Sequence, residues 1–200
     1  MLTLYRFKPA FQKAFRVLAG QWMTPDMASV LGVVFAVLAG AAFFLGFRVS
    51  RWFFLAAPPL FVLRAIANVL DGVLAREQGL ASARGEALNE GCDIASDCAT
   101  YVPIALTAPT SLMRTMVFLI IVAMLLAEFA GVLAKLTTGT RRYDGPMGGK
   151  GDRWFWFGLG GTVIALAPDA IAYAPAYLAV VLGFVLLTGC NRVRLLWMSL

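Results

Sequence analysis

The chain has 200 residues, of which 60% are hydrophobic and 14% are charged, and its mean hydropathy is +0.79. This composition excludes an ordinary water-soluble domain and predicts an integral membrane protein. The net charge of +6 favours membrane lipids and phosphorylated substrates as partners and not nucleic acid, because the sequence lacks the basic and aromatic platform of nucleic-acid-binding modules.

Residues 1–23 predict an amphipathic helix that lies along the membrane surface. Apolar residues recur there at spacings of three or four, with basic residues between them: Leu4, Phe7, Phe11, Phe15 and Leu18. This pattern is typical of an interfacial helix. We expect the segment to anchor the protein without taking part in its chemistry.

Residues 24–200 predict a bundle of six transmembrane helices. A helix that spans a bilayer needs about 20 mostly apolar residues, and six segments meet this requirement: 27–47, 52–74, 88–110, 115–135, 153–173 and 175–191. No repeat, linker or low-complexity segment divides them. We therefore interpret residues 1–200 as one all-α, polytopic membrane domain.

The basic residues predict the orientation of this bundle. Most of the 17 lysines and arginines fall in one alternating set of segments between the predicted spans, and such segments usually face the cytoplasm. Both termini would then be cytoplasmic, as would the segment that joins the second and third spans. We expect a protein of the bacterial inner membrane.

Helix-breaking residues mark the limits of the second and third spans. Pro58 and Pro59 are expected to interrupt the second span, which is tolerable inside a bundle. Gly79 is expected to end that helix in a left-handed cap. After a short turn, the third span should begin near Gly85.

Two polar stripes follow these spans. Their members recur at helical spacing, so those of each span share one face: Arg64, Asn68, Asp71 and Ala75 in the second, and Asn89, Asp93 and Asp97 in the third. A carboxylate facing lipid would cost several kcal/mol, so the stripes should face each other inside the bundle. Oxygen ligands from two helices, in a chain without histidine, are typical of a site for Mg2+ or Mn2+.

The stripes carry a resemblance to a known family. The chain reads N-x2-D-G-x2-A-R-x8-G-x3-N-x3-D from Asn68 to Asp93, which resembles the CDP-alcohol phosphotransferase signature D-x2-D-G-x2-A-R-x8-G-x3-D-x3-D. The segments TPDMAS at the start of the first span and GKGDR before the fifth are also similar to that family. Its members have the same six spans and interfacial helix, so the likeness covers nearly the whole chain.

The resemblance implies a metal-dependent enzyme that transfers a phosphoalcohol from a CDP-alcohol to an acceptor hydroxyl and releases CMP, in phospholipid biosynthesis. It assigns Asp93 as the catalytic base, and it places Mg2+ or Mn2+ at Asn68, Asp71, Asn89 and Asp93. The residues that it assigns to binding of the CDP group are Asp26, Ser29, Gly72, Ala75, Arg76 and Gly85. CDP-diacylglycerol is the expected donor, and we expect a homodimer.

The chain departs from the signature at Asn68 and Asn89, where the family has aspartates. Because two negative charges are lost, we expect one tightly held metal ion where the family signature would balance two. A shifted register, with Asp93 and Asp97 as the last pair, would restore one carboxylate but would break the x8 spacing. The alternative function is that of a catalytically impaired member that acts as a non-enzymatic partner or scaffold.

Basic residues also surround the segment between the fourth and fifth spans: Lys135, Arg141, Arg142, Lys150 and Arg153. They suit the phosphate of an acceptor, although the cytoplasmic bias of basic residues explains them equally well. Glycerol phosphate, inositol phosphate, serine and a lipid hydroxyl all remain possible acceptors. The roles could also be reversed, with a soluble CDP-alcohol and a lipid acceptor.

Two further charges lie within the predicted spans, Arg64 and Glu128. Both fall below the cytoplasmic surface, where an unpaired charge is costly. We expect them to form an intramembrane pair. The alternatives are that each faces a wet cavity or that Arg64 contacts a substrate phosphate.

Overall fold

The computed structural model describes residues 23–80, 82–139 and 147–198, and the regular elements of these ranges are all helices. In chain order they are α1 (Pro25–Arg48), a first 3-10 helix (Arg51–Ala56), α2 (Ala57–Glu77), α3 (Ala83–Thr107), α4 (Ser111–Thr138), α5 (Lys150–Leu166), a second 3-10 helix (Pro168–Tyr173) and α6 (Ala174–Trp197). The all-α class is therefore confirmed for these ranges. The interfacial helix of residues 1–23 lies almost entirely outside them and stays a prediction.

Four helical segments are long and apolar enough to cross a membrane: Pro25–Arg48, Arg51–Glu77, Ser111–Thr138 and Pro168–Trp197. The chain is thus an integral membrane protein by the length and composition of its helices. Helices α3 and α5 occupy the places of the third and fifth predicted spans. They do not meet this criterion of length and apolar composition, because α3 carries the charges of the polar stripe and α5 has only 17 residues.

The two prolines of the second predicted span begin a helix and do not interrupt one. The chain passes from the first 3-10 helix into α2 at Ala57, which puts Pro58 and Pro59 in the first turn of α2. A proline is well tolerated there, because the amide hydrogens of a first turn have no partner within the helix. The predicted interruption was wrong for this reason.

The helices pack as one group of α1, α2, α3 and α5 and a second group of α4 and α6, and α4 packs against α3 of the first group. Helix α1 packs against α2 and α3, α4 packs against α3 and α6, and α5 packs against α2. Buried aromatic rings join α1, the first 3-10 helix, α2, α3 and α5, because Phe43 contacts Phe54, Phe61 and Phe157, and Phe157 also contacts Tyr101. This core fixes the relative positions of α2, α3 and α5, which supply the candidate site.

Helix α1 approaches α3 closely because it presents small residues to it. Ala36, Ala39 and Gly40 are buried on that face, and the carbonyl oxygen of Ala36 accepts a hydrogen bond from the Thr100 hydroxyl at 3.3 Å. A methyl group at Gly40 would overlap the Ala99 carbonyl of α3. Small residues that allow such approach are typical of helix contacts in membranes.

We expect Gly40→Ala to lower the free energy of unfolding by about 1–3 kcal/mol, because the added methyl group forces α1 and α3 apart. Thermal unfolding in detergent measures this. The matched control is Gly183→Ala in α6, where a methyl group meets no atom within 4 Å and the higher helix propensity of alanine should leave stability unchanged or raise it by up to about 1 kcal/mol. Equal effects of the two substitutions would contradict the close packing.

Candidate active site

A tight turn between α2 and α3 sets the two polar stripes opposite each other. Gly79 has a φ of 65°, and the Leu80 amide donates to the Ala75 carbonyl at 3.0 Å, which is the Schellman arrangement of a helix end. Helix α3 then begins after Ser82, whose hydroxyl oxygen accepts from the Gly85 amide at 3.1 Å. The predicted left-handed cap at Gly79 is confirmed, and the third helix begins two residues before Gly85.

The stripes meet through two hydrogen bonds. The amide nitrogen of Asn68 donates to Asp93 Oδ1 at 3.0 Å, and Arg64 Nη2 donates to Asp97 Oδ1 at 2.8 Å. On each helix the two members are one turn apart, in antiparallel order. The prediction that the two stripes face each other is therefore confirmed.

Helix α1 closes a third side of this cluster. The Ser29 hydroxyl donates to Asp71 Oδ2 at 3.2 Å, and both residues are buried. Gly32, one turn further along α1, would place a methyl group 3.0 Å from the Asn68 amide oxygen. Gly32 could not be recognised from the sequence, because a glycine inside an apolar span gives no signal of what approaches it.

Of the residues assigned to the CDP group, Asp26 and Ser29 lie on α1, Gly72, Ala75 and Arg76 lie on α2, and Gly85 lies in the first turn of α3. Gly72 and Ala75 are half-buried, and Arg76 is exposed. A methyl group at Gly72 would meet only the Arg76 guanidinium nitrogens, at 3.6 and 4.0 Å, so the face of α2 beside that cation is open. Asp26 is exposed in the first turn of α1.

Helix α5 contributes Lys150 to the same cluster. Lys150 is the first residue of α5, and its ammonium group pairs with Asp93 Oδ2. Asn89, which the signature pattern makes a metal position, is half-buried one helical turn before Asp93.

The oxygen donors at this cluster fit a hard divalent cation. They are the carboxylates of Asp71 and Asp93 and the amide oxygens of Asn68 and Asn89, which are ligand types that Mg2+ and Mn2+ accept. Within the described residues, no group of three or more His, Cys, Asp and Glu side chains could hold a metal. That result follows from the two asparagines, which leave only two carboxylates in the signature.

A cleft of about 220 Å3 opens beside Asp93 between α3 and α4. Its polar lining consists of Glu90, Asp93, Asp97, Glu128 and Lys150, and its apolar lining of Ile94, Leu125, Phe129 and Val132. The cleft therefore leaves the Asp93 carboxylate accessible between α3 and α4.

A network of buried charged side chains lies next to this cluster, beginning one helical turn away with Arg64 and Asp97. Asp97 accepts hydrogen bonds from Arg64 at 2.8 Å and from Arg153 Nη2 at 2.7 Å. Glu128 lies 3.4 Å from Arg153 Nη2 and 3.3 Å from Arg192 Nη1. All five side chains are buried, so their charges must be balanced within the protein.

This network corrects the predicted pair of Arg64 and Glu128. In the described part of the chain, Arg64 takes Asp97 as its partner and stacks on Trp154, with its guanidinium carbon 4.5 Å from the ring centroid. Glu128 instead contacts Arg153 and Arg192. Its position near the C-terminus predicts only a cytoplasmic boundary residue for Arg192, whereas the structure buries it beside Glu128.

Of the remaining basic residues of the predicted acceptor site, the two that the structure describes, Lys135 and Arg153, have different partners. Lys135, at the end of α4, pairs with Glu86 near the start of α3. Arg153 is buried in the network. Arg141 and Arg142 lie outside the described residues, so their part in a phosphate site stays a prediction.

Comparison with known proteins identifies the family. A profile of the family described as CDP-alcohol phosphatidyltransferase matches residues 22–193. The chain belongs to this family. It is 32% identical over 197 residues to the inner membrane protein YnbA of Escherichia coli (strain K12), with 96% of each chain covered.

Two solved structures share the fold. One is the phosphatidylinositol phosphate synthase PgsA1 of Mycobacterium tuberculosis with CDP-DAG bound, at 20% identity and a TM-score of 0.72, covering 96% of this chain and 94% of that one. The other is the same enzyme with manganese and citrate, at 20% identity and a TM-score of 0.71, covering 96% and 89%. At this identity the likeness supports the fold.

Proposed function

We propose that this protein transfers a phosphatidyl group from CDP-diacylglycerol to an acceptor hydroxyl and releases CMP. The observation that carries the proposal is the hydrogen bond between Asn68 and Asp93, which joins the two ends of the family signature beside an open cleft. The CDP-DAG bound to the mycobacterial enzyme of the same fold supports this donor.

In the proposed reaction, Asp93 is the base. Its carboxylate removes the proton of the acceptor hydroxyl, whose oxygen then attacks the phosphorus of the phosphatidyl group. The bond from that phosphorus to the bridging oxygen breaks, and CMP leaves with the bonding electron pair. A divalent ion at Asn68, Asp71, Asn89 and Asp93 would neutralise the negative charge that develops on the departing phosphate.

The donor's nucleotide is proposed to lie along α2 and the start of α1. Gly72 and Ala75 leave space there, and the Arg76 guanidinium next to Gly72 suits a diphosphate. Ser29 holds the Asp71 carboxylate in place through its hydrogen bond. Asp26 and Gly85 complete this proposed set on the basis of the family signature.

The acceptor is proposed to reach Asp93 through the cleft between α3 and α4. Lys150 lines this cleft and Lys135 lies near the end of α4, and their side chains are 20% and 34% exposed. Arg153 is less suited to hold a substrate phosphate, because Asp97 and Glu128 already engage its guanidinium. Arg141 and Arg142 stay in the proposed acceptor site by their place in the sequence alone.

We also propose that all six helical segments cross the bacterial inner membrane, with both termini in the cytoplasm, and that the protein is a homodimer. Helix α3 has 25 residues, which is about 37 Å at 1.5 Å per residue and sufficient for a bilayer. Its polar residues Asp93, Asp97 and Thr100 have partners on α1, α2 and α5, so they are satisfied within the bundle.

We expect the purified protein to release CMP from CDP-diacylglycerol when Mg2+ or Mn2+ and a suitable acceptor are present. CMP is measured by chromatography for a panel of glycerol phosphate, inositol phosphate, serine and lipid alcohols, and mass spectrometry of the lipid product identifies the acceptor. Chelation by EDTA should stop the release. Absence of CMP with every acceptor would instead favour the non-enzymatic role.

A further inference from the structure

Both carboxylate oxygens of Asp93 are engaged by the protein. Oδ1 accepts from the Asn68 amide at 3.0 Å, and Oδ2 pairs with the Lys150 ammonium group. The Asp93 and Lys150 side chains are only 13% and 20% exposed. This ion pair is therefore a part of the proposed metal site and is open to water only on the side of the cleft.

The backbone before Lys150 is held firmly, so the position of its side chain is defined. The Trp156 indole donates to the Met147 carbonyl at 3.0 Å, and Arg153 Nη1 donates to the Gly148 carbonyl at 3.1 Å. A methyl group at Gly148 would overlap the Phe184 carbonyl of α6. This short segment is thus fixed against two helices.

Helix stability does not explain a lysine at this position. The N-terminus of a helix carries a partial positive charge and favours acidic residues, and Asp152 supplies one by accepting from the Gly149 amide at 3.1 Å. A lysine as the first residue of α5 opposes that preference. The contact with Asp93 accounts for a lysine at this position.

The cluster carries less negative charge than the family signature would give it. Asparagines at positions 68 and 89 remove two negative charges, and Lys150, from the GKGDR segment outside the signature, places one positive charge beside Asp93. The remaining carboxylates, Asp71 and Asp93, are therefore partly neutralised before any metal binds. Adding two divalent ions to so little negative charge is unfavourable, because like charges repel strongly at short distance.

We propose that the Lys150 ammonium group stands in for one divalent cation, so that this enzyme works with one metal ion and one built-in positive charge. The inference rests on the proposed metal-dependent transfer and adds a residue to it. Lys150 would hold Asp93 in place and share with the single metal ion the neutralisation of the donor's diphosphate.

The test is a titration of the purified full-length protein in detergent with Mn2+, followed by electron paramagnetic resonance of the free ion, without donor or acceptor. We expect about one tightly bound Mn2+ per chain in the wild type and in Lys150→Arg, and about two in Lys150→Gln. Lys135→Gln removes a lysine of the same cytoplasmic region that pairs with Glu86 instead and should keep the wild-type number. Thermal unfolding of each variant verifies that it is folded.

Two tight Mn2+ ions in the wild type, no tight ion in the wild type, or an unchanged number in folded Lys150→Gln would each overturn the inference. These titrations do not depend on turnover. A protein that binds one Mn2+, gains a second in Lys150→Gln and yet releases no CMP would refute the proposed function and leave the role of Lys150 intact.

Discussion

Asp97→Asn is expected to lower the free energy of unfolding by about 3–5 kcal/mol, more than the loss expected for Gly40→Ala. Asp97 accepts from Arg64 at 2.8 Å and from Arg153 at 2.7 Å, and all three side chains are buried. Removal of the carboxylate charge leaves two buried guanidinium groups that Glu128 alone cannot balance, because it also contacts Arg192. The loss should appear as a lower unfolding temperature in detergent.

Asp169→Asn is the matched control, because Asp169 is exposed in the second 3-10 helix and should change stability by less than about 0.5 kcal/mol. Arg64→Met should recover part of the loss when it is combined with Asp97→Asn, since it removes one of the uncompensated charges. Strictly additive effects in this double-mutant cycle would show that Arg64 and Asp97 are not coupled.

The local features of the site could be predicted from the sequence because each depends on residues close together in the chain. Helical spacing placed Asn68 and Asp93 on facing stripes, and the glycine at position 79 predicted the cap that turns the chain between them. Both follow from backbone geometry, which is the same in every helix. The hydrogen bond between Asn68 and Asp93 confirms the resulting register.

The partners of the buried charges could not be predicted in the same way. Helical spacing tells which face of α2 carries Arg64, but not which residue of another helix will meet it. Depth in the membrane favoured Glu128, whereas the structure gives Arg64 to Asp97 and gives Glu128 to Arg153 and Arg192. These contacts depend on how α3, α4, α5 and α6 pack, which is a property of the whole bundle.

Lys150 illustrates the same limit at the active site. Its sequence position suggested an acceptor phosphate or a cytoplasmic boundary charge, since lysines in loops serve both purposes. The fold brings the start of α5 beside α3, where Lys150 pairs with Asp93. The sequence shows the two asparagines of the signature, but it does not show that Lys150 contacts Asp93.

Asp93→Asn is expected to reduce CMP release by at least about 100-fold, because the substitution removes the proposed base while it preserves the shape of the side chain. The amide oxygen of the new residue can still accept from Asn68, so the contact between α2 and α3 is retained. The ion pair with Lys150 is lost, but it borders the cleft, where water can solvate the released ammonium group. The cost in stability should therefore stay below the roughly 3–5 kcal/mol of a fully buried pair, and activity should fall far more than stability.

The decisive comparison is the rate of CMP release per folded molecule in Asp93→Asn, Asp97→Asn and Asp169→Asn. Asp97 is buried between two arginines, where its proposed role is to balance their charges, so its variant should retain activity at temperatures where it remains folded. Asp169→Asn should behave as the wild type. If Asp93→Asn retained activity while folded Asp97→Asn lost it, the shifted register of the signature would be correct, and Asp97 would be the base in spite of its ion pairs.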